Sequence, residues 1–139
     1  MTTEAPTLVS ACLIGSRCRY DGLSKPAPLG TTAEAFIPVC PEMMAGLGVP
    51  RPAVERGADG RVRVLSTGQD VTDRLRSASN EIVHLAQKAG VTHAILKERS
   101  PSCGSQWLRR GGDIVNGEGI LTSALRDVGI HIMSEEEIR

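Results

Sequence analysis

Short apolar runs that stop at Gly, Pro or Ser, separated by stretches of helical periodicity, constrain this chain more than any other feature. Leu8 to Ala11 and Phe36 to Val39 are such runs, and both read as buried strands. Residues 71 to 89 place Val71, Leu75, Ala78, Ile82, Leu85 and Ala89 at helical spacing, with Asp70 or Thr72 as cap and Gly90 as stop. Beyond it, Thr92 to Leu96 reads as a strand, Gly119 to Val128 as an amphipathic helix ended by Gly129, and Ile130 to Met133 as a last short strand. Strand, helix, strand, helix, strand predicts a parallel sheet covered by helices. The expected architecture is therefore α/β, a Rossmann-like three-layer sandwich with a mainly parallel sheet. At 139 residues it forms a single domain spanning 1–139.

Two segments fall outside this alternation. Between Pro50 and Gly68 the chain is rich in Gly, Pro and Arg, and Val62 and Val64 alternate with Arg61 and Arg63 as in an edge hairpin, which predicts a flap. Residues 104 to 118 are Gly-rich and polar, and are expected to form a loop over the sheet's rim.

Composition narrows the partners. Sixteen Lys and Arg balance sixteen Asp and Glu, so the field that steers proteins onto phosphate backbones is missing. Phe36, Tyr20 and Trp107 are the only aromatic rings of their kind, too few for the rows on which single-stranded bases stack. A small ligand is expected rather than nucleic acid. No apolar stretch approaches the roughly 20 residues that span a bilayer, and the N-terminal segment has Glu4 where a signal peptide carries Lys or Arg. The expected location is cytoplasmic, with no membrane partner.

Four cysteines in such a chain are expected to be reduced, metal-bound or catalytic rather than paired. Cys12, Cys40 and Cys103 each follow an expected strand on its carboxyl side, where open parallel sheets bind their ligands. Pro41 bends the chain after Cys40, and Pro101 and Gly104 fold back the loop around Cys103. The residues alone leave two readings open. The three thiolates hold one metal cluster, or they are ordinary buried thiols, since free Cys packs as a small hydrophobe. Other candidates have bland readings as well. His84, His93 and His131 lie away from every cysteine motif, Glu42 sits where an acid favours the first turn of a helix, and Asp21 precedes Gly22 in a turn signal.

The segments SACLIGSRCRYDG, PVCPE, Pro50 to Pro52, DVT, LKERSPSCGS and a terminal Gly-Ile with SEEE occur in the order found in the DUF523 family. The chain resembles that family over nearly its whole length. Its members include thiouracil desulfurases that hold a [4Fe-4S] cluster through three cysteines. The resemblance implies that Cys12, Cys40 and Cys103 are the ligands and that Cys18 is left over. It also implies a Glu and a Ser beside the cluster, for which Glu42 is the candidate acid/base, Ser100 the residue that orients water and Ser102 the second candidate serine. Asp21 is a candidate for shaping the substrate site. Three ligands leave one iron open as a Lewis acid. The implied reaction is the non-redox desulfuration of a small thiolated pyrimidine, thiouracil to uracil with release of sulfide. Alternatives are a thiouridine desulfidase, or an iron-sulfur, zinc-binding or thiol redox-sensing module without turnover.

Overall fold

The structure is a computed structural model that describes residues 6–14, 36–48, 50 and 52–137. Among the described residues there are eight strands and three α-helices: β1 Thr7–Ser10, β2 Phe36–Val39, α1 Pro41–Met44, β3 Val54–Arg56, β4 Val62–Val64, α2 Thr72–Lys88, β5 His93–Leu96, β6 Trp107–Arg110, β7 Asp113–Asn116, α3 Ile120–Asp127 and β8 His131–Ser134. Single 3-10 turns follow β1, at Ala11–Ile14, and β8, at Glu135–Glu137.

The main sheet has the order β2-β1-β5-β8 and every pairing in it is parallel. In-register neighbours face alike, so Leu8, Ala94 and Ile132 form one row on one face. That row packs with Ile82 and Ala86 of α2 and Leu121 and Leu125 of α3 into a single core. Both helices therefore cover the same face. On the other face Val9 and Ile95 pack with Leu13 and Phe36. Residues 15–35, between β1 and β2, lie outside the described residues, so the second helical layer of the expected sandwich is not tested by the described elements.

The α2 helix forms because its apolar positions make a stripe; Leu75, Ala78, Ile82 and Ala86 are buried. Leu85, expected on that stripe, is 44% exposed, so the buried face is narrower than the sequence pattern. Asp70 acts at the helix start, its Oδ1 accepting the Thr72 N–H at 2.9 Å, while the Thr72 hydroxyl accepts from Val62 N–H at 2.8 Å.

The flap expected between Pro50 and Gly68 is the antiparallel hairpin β3–β4, whose Val54, Val62 and Val64 pack with Val71, Leu75 and Ile120 in a small core of their own. Residues 104 to 118 depart from the expected loop. They contain a second hairpin, β6–β7, in which Trp107 pairs with Asn116 and Arg110 with Asp113. Its turn is Gly111-Gly112, both at positive φ, 60° and 85°, which is what a tight two-residue hairpin turn demands.

Candidate functional site

The strand order places β1 between β2 and β5, and the three cysteines follow those three neighbouring strands. Cys12 lies in the 3-10 turn after β1, Cys40 is the N-cap residue of α1 directly after β2, and Cys103 lies in the loop after β5. The strand order reverses between β1 and β5, since the next strand of the sheet after β1 is β2 on one side and the next after β5 is β8 on the other, and the crevice beyond their carboxyl ends is where such sheets bind ligands. All three cysteines carry thiols rather than disulfides; Cys12 and Cys103 are buried and Cys40 is partly so. Burial pushes the Cys103 thiol well up, a hydrogen bond with Ser10 opposes this, and the charges of Cys40, Cys12 and Glu42 push it further up. Cys12, Cys40 and Glu42 thus each lie within electrostatic reach of Cys103. Among the described residues, no three His, Cys, Asp or Glu side chains are arranged to hold a single metal ion.

Glu42, in the first turn of α1, meets the loop after β5: the Ser102 hydroxyl donates to its Oε2 at 3.5 Å, a long hydrogen bond. Ser102 is fully buried. Ser100 is only half-buried, and its Oγ accepts the backbone N–H groups of Ser102 and Cys103, each at 3.2 Å. That leaves its own proton to give. Cys18 and Asp21 lie outside the described residues.

The loop itself is tied at three places. Ser100 carbonyl accepts from Gly104 N–H at 2.8 Å, which tightens the turn around Cys103. The start of α3 lies against this turn: Ile120 N–H donates to Pro101 carbonyl at 3.2 Å, Leu121 N–H to Ser102 carbonyl at 2.8 Å, and the Thr122 hydroxyl to Cys103 carbonyl at 2.9 Å. These bonds satisfy both the orphan donors of the helix start and the carbonyls of the loop. The approach is so close that a Cβ on Gly119 would stand 2.2 Å from the Ser102 carbonyl carbon. The third tie is Glu98, 3% exposed, which accepts the N–H groups of Ser105, Gln106 and Trp107. Burial raises its pKa, but the bonds from the Ser105 hydroxyl and from the N–H groups of Gln106, Trp107 and Arg99 outweigh this, and the net direction is down.

Three residues of this site escape a reading of the sequence by residue type. Ser10, 3% exposed, accepts Lys97 N–H at 2.9 Å and reaches Cys103. Residue type does not mark Glu98 or Gly119 either, because most of what they touch is backbone, which leaves no mark in a sequence. For Ser10 and Glu98 the available signal is their place inside the segments SACLIGSRCRYDG and LKERSPSCGS.

The sheet is that of an α/β protein with cysteines beyond the carboxyl ends of its strands, and residues 7–137 match the family model described as 2-thiouracil desulfurase. The chain belongs to the 2-thiouracil desulfurase family. It is similar over 96% of its length, at 38% identity and a TM-score of 0.88, to a solved structure described as the [4Fe-4S]-dependent thiouracil desulfidase TudS, a DUF523 protein, of which it covers 93%. It is also 31% identical to the uncharacterised protein YbbK of Bacillus subtilis, with 94% of this chain and 96% of that protein aligned. The α/β fold and the DUF523 resemblance expected from the sequence agree with these matches. Among the described residues, no helix is long and apolar enough to cross a membrane.

Proposed function

We propose that this chain converts a thiolated pyrimidine, thiouracil, and water into uracil and hydrogen sulfide with no net redox change, using a [4Fe-4S] cluster held by Cys12, Cys40 and Cys103. The observation that carries the reading is the convergence of these three thiols, from three adjacent parallel strands, with Glu42 and Ser102. The donor set fits the group. A cluster takes each thiolate on a different iron, so it needs soft sulfur ligands spaced around a chamber rather than donors converging on one ion. When bound, the cluster supplies an iron without a protein ligand, a Lewis acid suited to a soft thiocarbonyl sulfur.

The chain's own groups handle water and protons. Glu42 takes a proton from the attacking water and returns it to the departing sulfur, the two halves of general base and general acid work. Ser102 holds one oxygen of that carboxylate in place from the buried side. Ser100, on the wetter side and fixed by two backbone N–H groups, offers its hydroxyl as a hydrogen-bond partner to the water and sets its approach. Asp21 is assigned to shaping the pyrimidine site.

The test is anaerobic reconstitution followed by assay of sulfide release. The expected preparation is brown, with about four irons and four sulfides per chain, and it releases sulfide from thiouracil. Replacing Cys12, Cys40 or Cys103 with Ala abolishes cluster and activity together, whereas Cys18→Ala keeps the cluster. A colourless protein containing zinc would overturn the reading, and loss of the cluster in Cys18→Ala would overturn the three-ligand assignment. Release from thiouridine but not from thiouracil would move the substrate to the nucleoside.

A further inference from the structure

We propose that Glu98 is a positioning residue for this site, the fixed charge around which the loop carrying Ser100, Ser102 and Cys103 is folded. The inference rests on the function proposed above and concerns a residue that touches neither substrate nor cluster in that reading. Four backbone N–H groups converge on its Oε1: Ser105 at 2.8 Å, Gln106 and Trp107 at 3.1 Å, and Arg99 at 3.3 Å. Its Oε2 accepts the Ser105 hydroxyl at 2.5 Å. Successive N–H groups pointed at one place make an anion nest, and here the nest is filled by the chain's own carboxylate. The donors come from both sides of Cys103, from residue 99 before it and residues 105–107 after it. Binding one oxygen to all of them closes the segment with the cysteine between.

The residue is itself held from a different strand. Its N–H donates to both oxygens of Glu135, just after β8, at 2.9 and 3.1 Å, and Lys97 Nζ donates to its carbonyl at 2.9 Å. Arg99, next in sequence, has φ 66°, a left-handed conformation that side-chain-bearing residues keep only where the surroundings impose it. Its guanidinium pairs with Glu136 at 2.9 Å, and its backbone bridges to Leu108. A buried carboxylate is a poor way to gain stability, because desolvation offsets most of what its bonds return. What it does impose is uniqueness. Any loop conformation that withdraws donors from Oε1 leaves a buried charge short of partners, so alternative placements of Ser102 and Cys103 are penalised.

The experiment compares Glu98→Ala, Glu98→Gln and Ser105→Ala as cluster-loaded proteins, by iron content, amide hydrogen exchange over residues 99–107, and kcat and KM for sulfide release. In Glu98→Ala, exchange over that segment should rise about tenfold or more, from loss of the charged acceptor. Its kcat per cluster should fall about a hundredfold, with KM within about twofold, as for a catalytic group misplaced by about 1 Å. Glu98→Gln should restore exchange to within about threefold and kcat to within about tenfold of wild type, since its amide oxygen accepts the same N–H groups and its nitrogen can donate to Ser105. Should Glu98→Ala fail to fold, Ser105→Ala decides: faster exchange over 99–107 with lower kcat supports the proposal. Unchanged exchange and kcat in the variants that fold would overturn it, as would equal collapse of kcat in Ala and Gln with native exchange, which would make the carboxylate a chemical participant. If the wild type releases no sulfide, the proposed function fails, while the exchange measurements still decide whether Glu98 orders the loop.

Discussion

Gly119→Ala is the sharpest perturbation of the site that leaves every functional group in the sequence. Gly119 has φ −73° and ψ 165°, a conformation open to any residue, so alanine is opposed there by space alone. Its Cβ would lie 2.2 Å from the Ser102 carbonyl carbon, 2.3 Å from the Ser102 oxygen and 2.5 Å from the Cys103 nitrogen. These are backbone atoms and cannot swing aside. Ordinary contact begins at 3.4 Å, so loop and helix must part by about 1.2 Å to restore it. Overpacking of this kind costs about 1–3 kcal/mol, and loosening the bonds from Gly119 N–H to Gly104 carbonyl and from Leu121 N–H to Ser102 carbonyl adds about 1 kcal/mol. At about 3 °C per kcal/mol for a chain of this size, the melting temperature should fall by roughly 6–12 °C. A displacement near 1 Å at Ser102 and Cys103 should also lower turnover by about a hundredfold. Thermal unfolding by circular dichroism, with iron content and sulfide release, reads both effects. Gly129→Ala is the control: its φ of 83° makes alanine strained by about 1–2 kcal/mol, yet nothing stands within 4 Å of the added methyl and turnover per cluster should not change. A Gly119→Ala protein that melts with the wild type and keeps full iron and activity would refute the close-packing argument.

Glu42→Gln should load a normal cluster and show little turnover; normal turnover would remove Glu42 from the proton chemistry. Ile82→Ala, fully buried between α2 and the sheet, should lower unfolding free energy by about 2–5 kcal/mol in urea titration while leaving activity per folded, cluster-loaded chain intact. Acid should weaken the Cys103 loop. Glu98 is held below the ordinary 4.5, so the stability it contributes is complete above that value and is lost as the pH falls through its lower folded value. Burial instead raises the carboxyl of Glu135, whose ionisation costs stability at neutral pH that is recovered as the pH falls through its raised value. Denaturation of Glu98→Gln and wild type between about pH 5 and pH 3 separates the two, and an acid limb equally steep in both would count against the Glu98 assignment.

The frame of the fold was legible because burial writes itself into residue type. Leu8 and Val9, Ala94 to Leu96, and Ala78 with Ile82 are apolar because they face the core, and Gly90 and Gly129 stop their helices at φ 73° and 83°. The β6–β7 hairpin was not legible, since β7 is mostly exposed and carries no apolar alternation; its signal was Gly111-Gly112 alone. For the site, position after a strand singled out Cys12, Cys40 and Cys103, and only the family resemblance of the surrounding motifs favours a ligand role for them over that of ordinary buried thiols. The distinction between Ser100 and Ser102 lies in burial and in contacts with backbone and Glu42, which residue type does not encode.

The strand order also fixes when such a site can come into being. β1 and β2 lie within the first 39 residues and pair directly, so Cys12 and Cys40 can become neighbours early. Cys103 joins them only after β5 has added to the other side of β1 and the turn behind it has closed on residues 119–122. Contacts of such long sequence separation form slowly, because chain entropy is lost before they return anything. On the ligand set proposed above, the third thiol therefore joins last, and iron meeting a partly folded chain would find two of the proposed ligands where the finished sheet presents three.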